Sequence, residues 1–384
     1  MTTATVFLAV ALSLGTALFL GEIVDRLGEP VVLAEIVTGV LLGTHVFGVV
    51  RPTGSFALLA TIGGMLLLFD AGYEELDLSR LRRGGSTVAL LFGFGVGLPG
   101  LLGGLLALGA GYDLTAAVVL GLALSVTSIG ITARTFLDLD QLDTPYGNHV
   151  VGAAVGSEIT ALIAFSLFLT ARGVNSTAVQ YLQVLGGVAA FFGGAFLLHR
   201  FVIGRLSQFV ARSQQPGAEL LSIMALLFLF GYAAEAARLD VVVGGLVAGI
   251  IVGEERRYRE VEVRESIIGI AYGVFVPLLF VNIGAQLDPT VLLTADPLLI
   301  GVVVGGLLSK VAGGYVGARL SGYRAAEAHI VGAAMMPRAG VELVIVSGAR
   351  AIGVVDDRLF SAVLALVFVS VLLTPLVLRR LIHR

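Results

Sequence analysis

Residues 115–136 read TAAVVLGLALSVTSIGITARTF, and this segment combines a membrane-spanning length with an internal weak point. A helix rises about 1.5 Å per residue, so the segment is long enough to cross a hydrocarbon layer of about 30 Å. Its middle, Ser125–Gly130, is rich in β-branched and hydroxyl residues and ends in glycine, a composition that forms helix poorly. The segment therefore predicts a membrane span that is interrupted near half depth.

A second apolar span, residues 325–349, carries a comparable weak point at its middle. The run Met336–Gly340 contains Pro337, and proline removes a backbone donor and clashes with the preceding turn. We count thirteen spans, of which these are the fifth and the twelfth, so they cross the membrane in opposite directions. One interruption would favour an ordinary kink, but two at matching depth indicate an inverted repeat with discontinuous helices, as in secondary transporters.

The composition supports a membrane protein throughout the chain. The 384 residues are 57% hydrophobic and 13% charged, whereas an ordinary soluble domain is about 25% charged. This excludes a conventional soluble enzyme and a disordered protein, and the net charge of −3 offers no basic surface for nucleic acid. We predict an all-α polytopic membrane protein with no enzymatic activity and no cofactor, and we interpret the polar stretch Gly204–Pro216 as a loop.

The positions of the basic residues predict an orientation in the membrane. Most of the 24 basic residues lie in loops after odd-numbered spans or in the C-terminal tail. Loops rich in arginine and lysine stay on the cytoplasmic side. We therefore expect a plasma-membrane protein with its N-terminus outside and its C-terminus in the cytoplasm.

Four polar residues lie near half depth in four different spans. They are Thr127, Glu158, Lys310 and Arg338, and charges inside a membrane are costly and usually functional. Lys310 is the only lysine of the chain, and a buried lysine can lose its proton, which arginine does not. We predict a binding site in which Lys310 is the charge partner of Glu158; a purely structural ion pair is the alternative.

Several motifs spread over nearly the whole chain point to one family. They are Glu29–Gly39, Leu67–Glu74, Thr127–Gly130, Ala233–Glu235 with Gly244–Gly249, Phe280–Asp288 and Ser309–Gly313. Together they resemble the monovalent cation/proton antiporters, in the branch of bacterial sodium/proton antiporters and potassium efflux systems. The family usually carries Asp-Asp or Asn-Asp in the sixth of thirteen helices, where this chain has Ser157-Glu158. This chain also keeps the family's Pro-Arg pair as Pro337-Arg338, but it has Ala339-Gly340 where the family has Gly-Glu.

The resemblance implies a division of the chain into a core that carries the ion and a scaffold that forms a homodimer. The implied segments are scaffold 1–77 and 213–290, core 84–172 and 294–384, and a linker helix 173–212. Movement of the core against the scaffold would give alternating access to the two sides of the membrane.

We expect exchange of a monovalent cation for protons, with Na⁺ first and Li⁺ or K⁺ as alternatives. Glu158 would bind either a proton or the cation, with Ser157, Thr127 and Ser128 supplying further oxygens. Arg338 and Glu342, an i,i+4 pair, would support the site. Because Ser157 is neutral, we predict one cation per proton and electroneutral exchange, unless Lys310 also releases a proton. The alternative function is a sodium-coupled symporter of a small organic solute.

Overall fold

The computed structural model describes residues 3–27, 29–75, 84–172, 178–215, 217–255, 261–287, 289–290 and 296–383. Within these ranges the regular structure is entirely helical. Ten helices there are long and apolar enough to cross a membrane, and two shorter apolar helices, Val32–Leu42 and Val241–Gly253, accompany them.

The α-helices are numbered here in chain order. They are α1 Thr3–Arg26, α2 Val32–Leu42, α3 Gly54–Asp70, α4 Gly85–Gly109, α5 Leu114–Ser125, α6 Ile129–Asp138, α7 Pro145–Arg172, α8 Ala178–Leu198, α9 Gly204–Ala211, α10 Ala218–Ala236, α11 Val241–Gly253, α12 Val261–Ile270, α13 Val276–Gln286, α14 Pro297–Leu320, α15 Ala325–Ala334, α16 Gly340–Ala351 and α17 Asp357–Ile382. Short π-helical turns lie at Ala71–Glu75, His199–Ile203 and Ala271–Phe275.

The prediction of a loop over Gly204–Pro216 is wrong for most of its length. The chain continues from α8 through a π-helical turn into α9 and leaves the helix only after Ala211. Ser207 and Val210, three residues apart, are buried, while the charged residues of this stretch point outward. The helix is therefore amphipathic, and its polar face made the segment resemble a loop in the sequence.

The chain forms two compact units. The first comprises the described residues within Met1–Leu14, Thr53–Asp77 and Ser166–Phe280, and the second those within Gly15–Pro52, Leu78–Phe165 and Val281–Arg384. All the residues predicted to form the ion site belong to the second unit. The predicted division into core, linker and scaffold segments stays a prediction.

Glycines bring backbones together inside the first unit. Helix α11 lies against α3 and the π-helical turn that follows it, through glycines spaced four residues apart. Gly245, Gly249 and Gly253 face the backbone of Met65, Phe69 and Tyr73, respectively. A side chain at any of the three would overlap that backbone, so this packing requires small residues, as is common between helices in membranes.

In the second unit, glycines position the helices around the predicted site. Gly313 of α14 faces the backbone of Phe94 in α4, so α14 and α4 approach closely. Gly121 of α5 faces the carbonyl oxygen of Gly100 in α4. Helix α4 is therefore in contact with both α14 and α5, which brings Lys310 of α14 within reach of the end of α5.

Candidate cation and proton site

Two gaps between helices meet in the second unit. Between α5 and α6 the residues Val126–Ser128 are not helical, and between α15 and α16 the helix is absent over Met335–Ala339. The amide of Ser128 donates a hydrogen bond to the carbonyl oxygen of Pro337 at 2.8 Å. The hydroxyl of Thr132 donates to the Ala334 carbonyl oxygen at 3.0 Å. These bonds link the two gaps directly.

Glu158 belongs to α7, and its carboxylate reaches the beginning of α6. Its Oε1 atom accepts a hydrogen bond from the amide of Ile129, the first residue of that helix, at 3.1 Å. The next residue back, Ser157, accepts from the amide of Thr127 at 3.1 Å and donates to the Ala154 carbonyl at 2.8 Å. A helix N-terminus carries unpaired amides and a partial positive charge, so it stabilises an anion placed there. The structure thus brings Glu158, Ser157 and Thr127 together.

Lys310 is fully buried and makes three hydrogen bonds. Its Nζ atom donates to the carbonyl oxygens of Gly95 at 2.7 Å and Ser125 at 2.5 Å, and to the hydroxyl of Thr127 at 2.8 Å. An ammonium group has three protons, so none is left for a carboxylate. The ion pair between Lys310 and Glu158 is therefore not formed in this structure, and Lys310 as charge partner of Glu158 stays a prediction.

Lys310 and Glu158 are nevertheless connected through one residue. The Thr127 hydroxyl accepts from Lys310, while the Thr127 amide donates to Ser157, the neighbour of Glu158. Thr127 thus joins the hydrogen bonds of Lys310 to the side chain of Ser157, the neighbour of Glu158 in the chain.

Arg338, in the gap between α15 and α16, is also fully buried, and its side chain contacts the C-terminal end of α5. One guanidinium nitrogen donates to the carbonyl oxygens of Ala123 at 3.0 Å and Val126 at 3.1 Å. The Arg338 amide donates to the hydroxyl of Ser370 at 3.2 Å. The last carbonyls of a helix lack partners within that helix and carry partial negative charge. Both buried cations of the site, Lys310 and Arg338, therefore bind the C-terminal end of α5.

Glu342 lies at the beginning of α16 and mirrors the position of Glu158. Its Oε2 atom accepts from the amide of Ala339 at 3.0 Å, while Oε1 lies 4.0 Å from the Arg338 guanidinium. The predicted pair of Arg338 and Glu342 is thus a long contact, and the main partner of Glu342 is the start of its own helix. Acids meet the N-termini of α6 and α16, and cations meet the C-terminus of α5.

The oxygens available to a transported cation differ among the predicted residues. The Thr127 hydroxyl is already bonded to Lys310. The Ser128 side chain is buried, and its hydroxyl makes none of the hydrogen bonds found among the described residues. Ser157 keeps one lone pair beyond its two bonds.

Several contributors to the site were missed from the sequence, among them the carbonyls of Gly95 and Ala123 and the hydroxyls of Thr132 and Ser370. The Gly95 carbonyl could not be found from residue type, because every residue carries a carbonyl. Ser370 had a usable signal, since it is a polar residue inside the apolar span Asp357–Ile382.

Comparison with known proteins identifies the family. The model of the sodium/hydrogen exchanger family, transmembrane region, matches residues 11–384. The chain belongs to this family. The motif resemblance to monovalent cation/proton antiporters is thereby confirmed, the sodium-coupled symporter alternative receives no support, and the apolar helices are those of an integral membrane protein.

Individual relatives agree with the family assignment. The Na(+)/H(+)-K(+) antiporter GerN of Bacillus cereus is 29% identical over 377 residues, which cover 97% of this chain and 95% of GerN. A Na(+)/H(+) antiporter of Enterococcus hirae is 28% identical over 360 residues, covering 92% of each protein. Among solved structures, the sodium proton antiporter MjNhaP1 of Methanocaldococcus jannaschii matches with a TM-score of 0.65 at 14% identity, over 99% of this chain and 100% of that one.

Proposed function

We propose that this protein exchanges a monovalent cation for protons by alternating access and that Glu158 binds either one. The observation that carries the proposal is a buried carboxylate on the first amide of α6, at the gap between two helices, in a chain of the exchanger family. Na⁺ is the first candidate because the relatives are named Na⁺/H⁺ antiporters, and K⁺ follows because the name of GerN includes it. Li⁺ is the remaining alternative.

Competition at one carboxylate would couple the two fluxes. Protonated Glu158 is neutral and holds no cation, whereas ionised Glu158 attracts one, so binding of either excludes the other. Hard cations prefer oxygen ligands. Ser157 precedes Glu158 in the chain, and Ser128 lies in the gap between α5 and α6, so each can offer a hydroxyl oxygen near Glu158. The Thr127 hydroxyl would join them only after Lys310 moves away.

We propose a stoichiometry of one cation per proton, since Ser157 is neutral and Glu158 is the only acid of this pair. The environment of Lys310 nonetheless accommodates two protonation states. A neutral amine can donate to the carbonyls of Gly95 and Ser125 and accept from the Thr127 hydroxyl, which would then release the carbonyl oxygen of Met335 that lies 3.4 Å from it. If Lys310 released its proton in each cycle, exchange would become electrogenic.

The proposal extends to the whole protein, which would have thirteen spans with interrupted fifth and twelfth helices, arranged as inverted repeats, and would form a homodimer in the plasma membrane.

Two ion pairs support the predicted sidedness, with the N-terminus outside and the C-terminus in the cytoplasm. Glu29 pairs with Arg379, and both belong to ends predicted to be cytoplasmic. Asp296 pairs with Arg358 at 2.6 Å, and both belong to ends predicted to be outside. Each pair thus joins segments assigned to the same side.

Proteoliposomes that contain the purified protein test the function. Addition of each alkali cation to the outside should move protons in wild-type vesicles, and Glu158→Gln should abolish this flux because the amide carries no charge and takes up no proton in exchange for the cation. Glu22→Gln is the matched control, since Glu22 is exposed and its ion pair among the described residues is with Arg26 of its own helix. Sodium-dependent proton flux retained in Glu158→Gln would remove Glu158 from the mechanism.

The stoichiometry has its own measurement. Exchange of one cation for one proton moves no net charge, so the initial rate should be the same at every clamped membrane potential. Vesicles with potassium gradients and valinomycin set the potential, the same gradients without valinomycin reveal any effect of K⁺ itself, and a sodium-sensitive or pH-sensitive dye reports the rate. A rate that follows the potential would overturn the electroneutral proposal and implicate Lys310.

A further inference from the structure

Ser370 of α17 makes the same two hydrogen bonds as Ser157 of α7, although the two serines bind different gaps. Each hydroxyl donates to the carbonyl oxygen three residues earlier in its own helix, at 2.8 Å for Ser157 and 2.9 Å for Ser370. Each also accepts from an amide in a gap, that of Thr127 at 3.1 Å and that of Arg338 at 3.2 Å. Both serines are buried. The two gaps are therefore held by serines with equivalent bonds.

In each gap, the peptide group whose amide binds the serine is bound at its carbonyl oxygen as well. The Pro337 carbonyl, in one peptide group with the Arg338 amide, accepts from the Ser128 amide at 2.8 Å. The Val126 carbonyl, in one peptide group with the Thr127 amide, accepts from the Arg338 guanidinium at 3.1 Å. A peptide group is planar, so its N–H and C=O turn together. Each serine therefore fixes the direction in which a carbonyl of its gap points.

The peptide group after Pro337 depends strongly on its serine. Proline has no amide hydrogen, so the Arg338 amide is the first donor that follows it in the gap. A buried amide inside a membrane has no water as an alternative partner. Without the Ser370 hydroxyl, this peptide group would be free to turn toward another acceptor and would carry the Pro337 carbonyl away from Ser128.

The Ser128 amide connects this peptide group to the ion site. Ser128 immediately precedes Ile129, whose amide donates to the Glu158 carboxylate at 3.1 Å. Successive peptide groups share a Cα atom, so a movement of the Ser128 amide also moves the donor of Glu158. The route from Ser370 to Glu158 thus runs through one peptide group of the second gap and the first amides of α6.

The second gap shows that the serine bonds do not depend on an acid beside the serine. Glu158 follows Ser157 in the chain, whereas Val371 follows Ser370. Val371 is apolar and fully buried, so it offers no ligand to a cation. The same serine bonds are present at both gaps, although only one of the two serines precedes a carboxylate. This favours holding the backbone over binding the cation as the role of Ser370.

We propose that Ser370 is a positioning residue for the exchange, which holds the Pro337–Arg338 peptide group so that the first amides of α6 stay in place for Glu158. Its effect on transport rests on the proposed function, whereas its effect on the backbone does not. One neutral hydrogen bond contributes a factor of about five to an equilibrium constant, so loss of the Ser370 hydroxyl should loosen the site by about that factor.

Hydrogen–deuterium exchange, followed by mass spectrometry of the purified protein in detergent, tests the backbone effect without any transport measurement. In Ser370→Ala, the Ser128 amide should exchange about fivefold faster than in wild type, although Ser128 belongs to the other gap. Thr374→Val is the matched control, because Thr374 is also fully buried in α17 and its hydroxyl donates to the Ser370 carbonyl at 2.7 Å. The control should leave the exchange of Ser128 at the wild-type rate.

Two exchange results would overturn the proposal. One is a wild-type rate at Ser128 in Ser370→Ala, and the other is an equal acceleration in Thr374→Val, which would mean a general loosening of the protein. If Ser370→Ala does not fold, as judged by gel filtration, Ser370→Cys is measured in its place with the same expectation, because sulfur is a weak acceptor.

Transport kinetics test the consequence for the exchange. Ser370→Ala should raise the KM for Na⁺ about fivefold and leave kcat unchanged, because the loosened amides weaken the binding of the cation. Thr374→Val should match wild type in both constants. A wild-type KM in Ser370→Ala would leave Ser370 with a merely structural role and overturn the proposal. A wild-type protein without exchange would contradict the proposed function and leave the hydrogen-exchange result valid.

Discussion

At the scale of single residues, the choice of lysine at position 310 has a geometric reason. The acceptors around Nζ come from α4, from the end of α5 and from the gap that follows it. A compact ammonium group with three diverging protons matches that arrangement, whereas a planar guanidinium group does not. Arg338 instead meets two carbonyls, those of Ala123 and Val126, that lie one turn apart at the same helix end.

Removal of one acceptor should therefore be measurable as a loss of stability. Thr127→Val keeps the shape of the side chain but leaves one Lys310 proton without a partner in a fully buried place. We expect the free energy of unfolding to fall by about 1–3 kcal/mol, seen as a lower melting temperature in detergent.

Thr61→Val is the control for this change. Within the part of the chain that the structure describes, the Thr61 hydroxyl bonds to the Ala57 carbonyl of its own helix. The control should stay close to wild type. If the two variants had the same melting temperature, the hydrogen bond between Thr127 and Lys310 would make no contribution to the stability.

At the scale of helices, opposite charges meet opposite ends. The N-termini of α6 and α16 receive Glu158 and Glu342, and the C-terminus of α5 receives Lys310 and Arg338. Each group satisfies backbone atoms that a helix end leaves unpaired. Inside a membrane no water can do so, which explains why these charges are buried at the helix gaps rather than elsewhere.

Replacing glycine by alanine should lower the stability at one position near the site and leave it unchanged or raise it at another, because only one of the two glycines is in close helix packing. A Cβ atom at Gly314 of α14 would lie 2.8 Å from the Cα atom of Gly332 in α15, so Gly314→Ala must push these helices apart. Gly97 of α4 faces open space, and alanine there favours helix by up to about 1 kcal/mol. Thermal melting should show Gly314→Ala below wild type and Gly97→Ala at or above it. A Gly314→Ala protein with wild-type stability would contradict the close approach.

At the scale of the whole molecule, the candidate site belongs to one of the two compact units. The gaps, Glu158 and both buried cations lie within the second unit. The ion site can therefore keep its internal geometry whenever this unit moves as a body. Such preservation is what alternating access requires of a binding site.

The proposed orientation can be tested by single-cysteine labelling of the purified chain after exposure of cells to reagent, because the chain itself contains no cysteine. Thr53→Cys and Gln214→Cys each place a thiol at an exposed position, in segments assigned to the outside and the cytoplasm respectively. A membrane-impermeant thiol reagent should label Thr53→Cys in intact cells and Gln214→Cys only in opened membranes. The reverse pattern would invert the assigned orientation.

Much of the fold and part of the site could be predicted from the sequence. Apolar length and weak helix formers are local properties, and they indicated both gaps, near Ser125–Gly130 and Met336–Gly340. Depth along each span also placed Thr127, Glu158, Lys310 and Arg338 at one level. The amphipathic helix α9 was misjudged, because its burial depends on neighbours that charge counting does not consider.

The sequence by itself determined that this is a helical membrane protein of the exchanger family, and it predicted a glutamate at half depth in a span separate from the two interrupted ones. Only the tertiary structure decided the partner of each buried charge. Depth follows from counting residues, but the direction in which a side chain points depends on how its helix is rotated and packed. For that reason the sequence could not predict that Lys310 binds the Ser125 carbonyl at the end of α5. It also could not predict that Glu35 of α2 contacts Arg134 of α6, because the two residues are far apart in the chain.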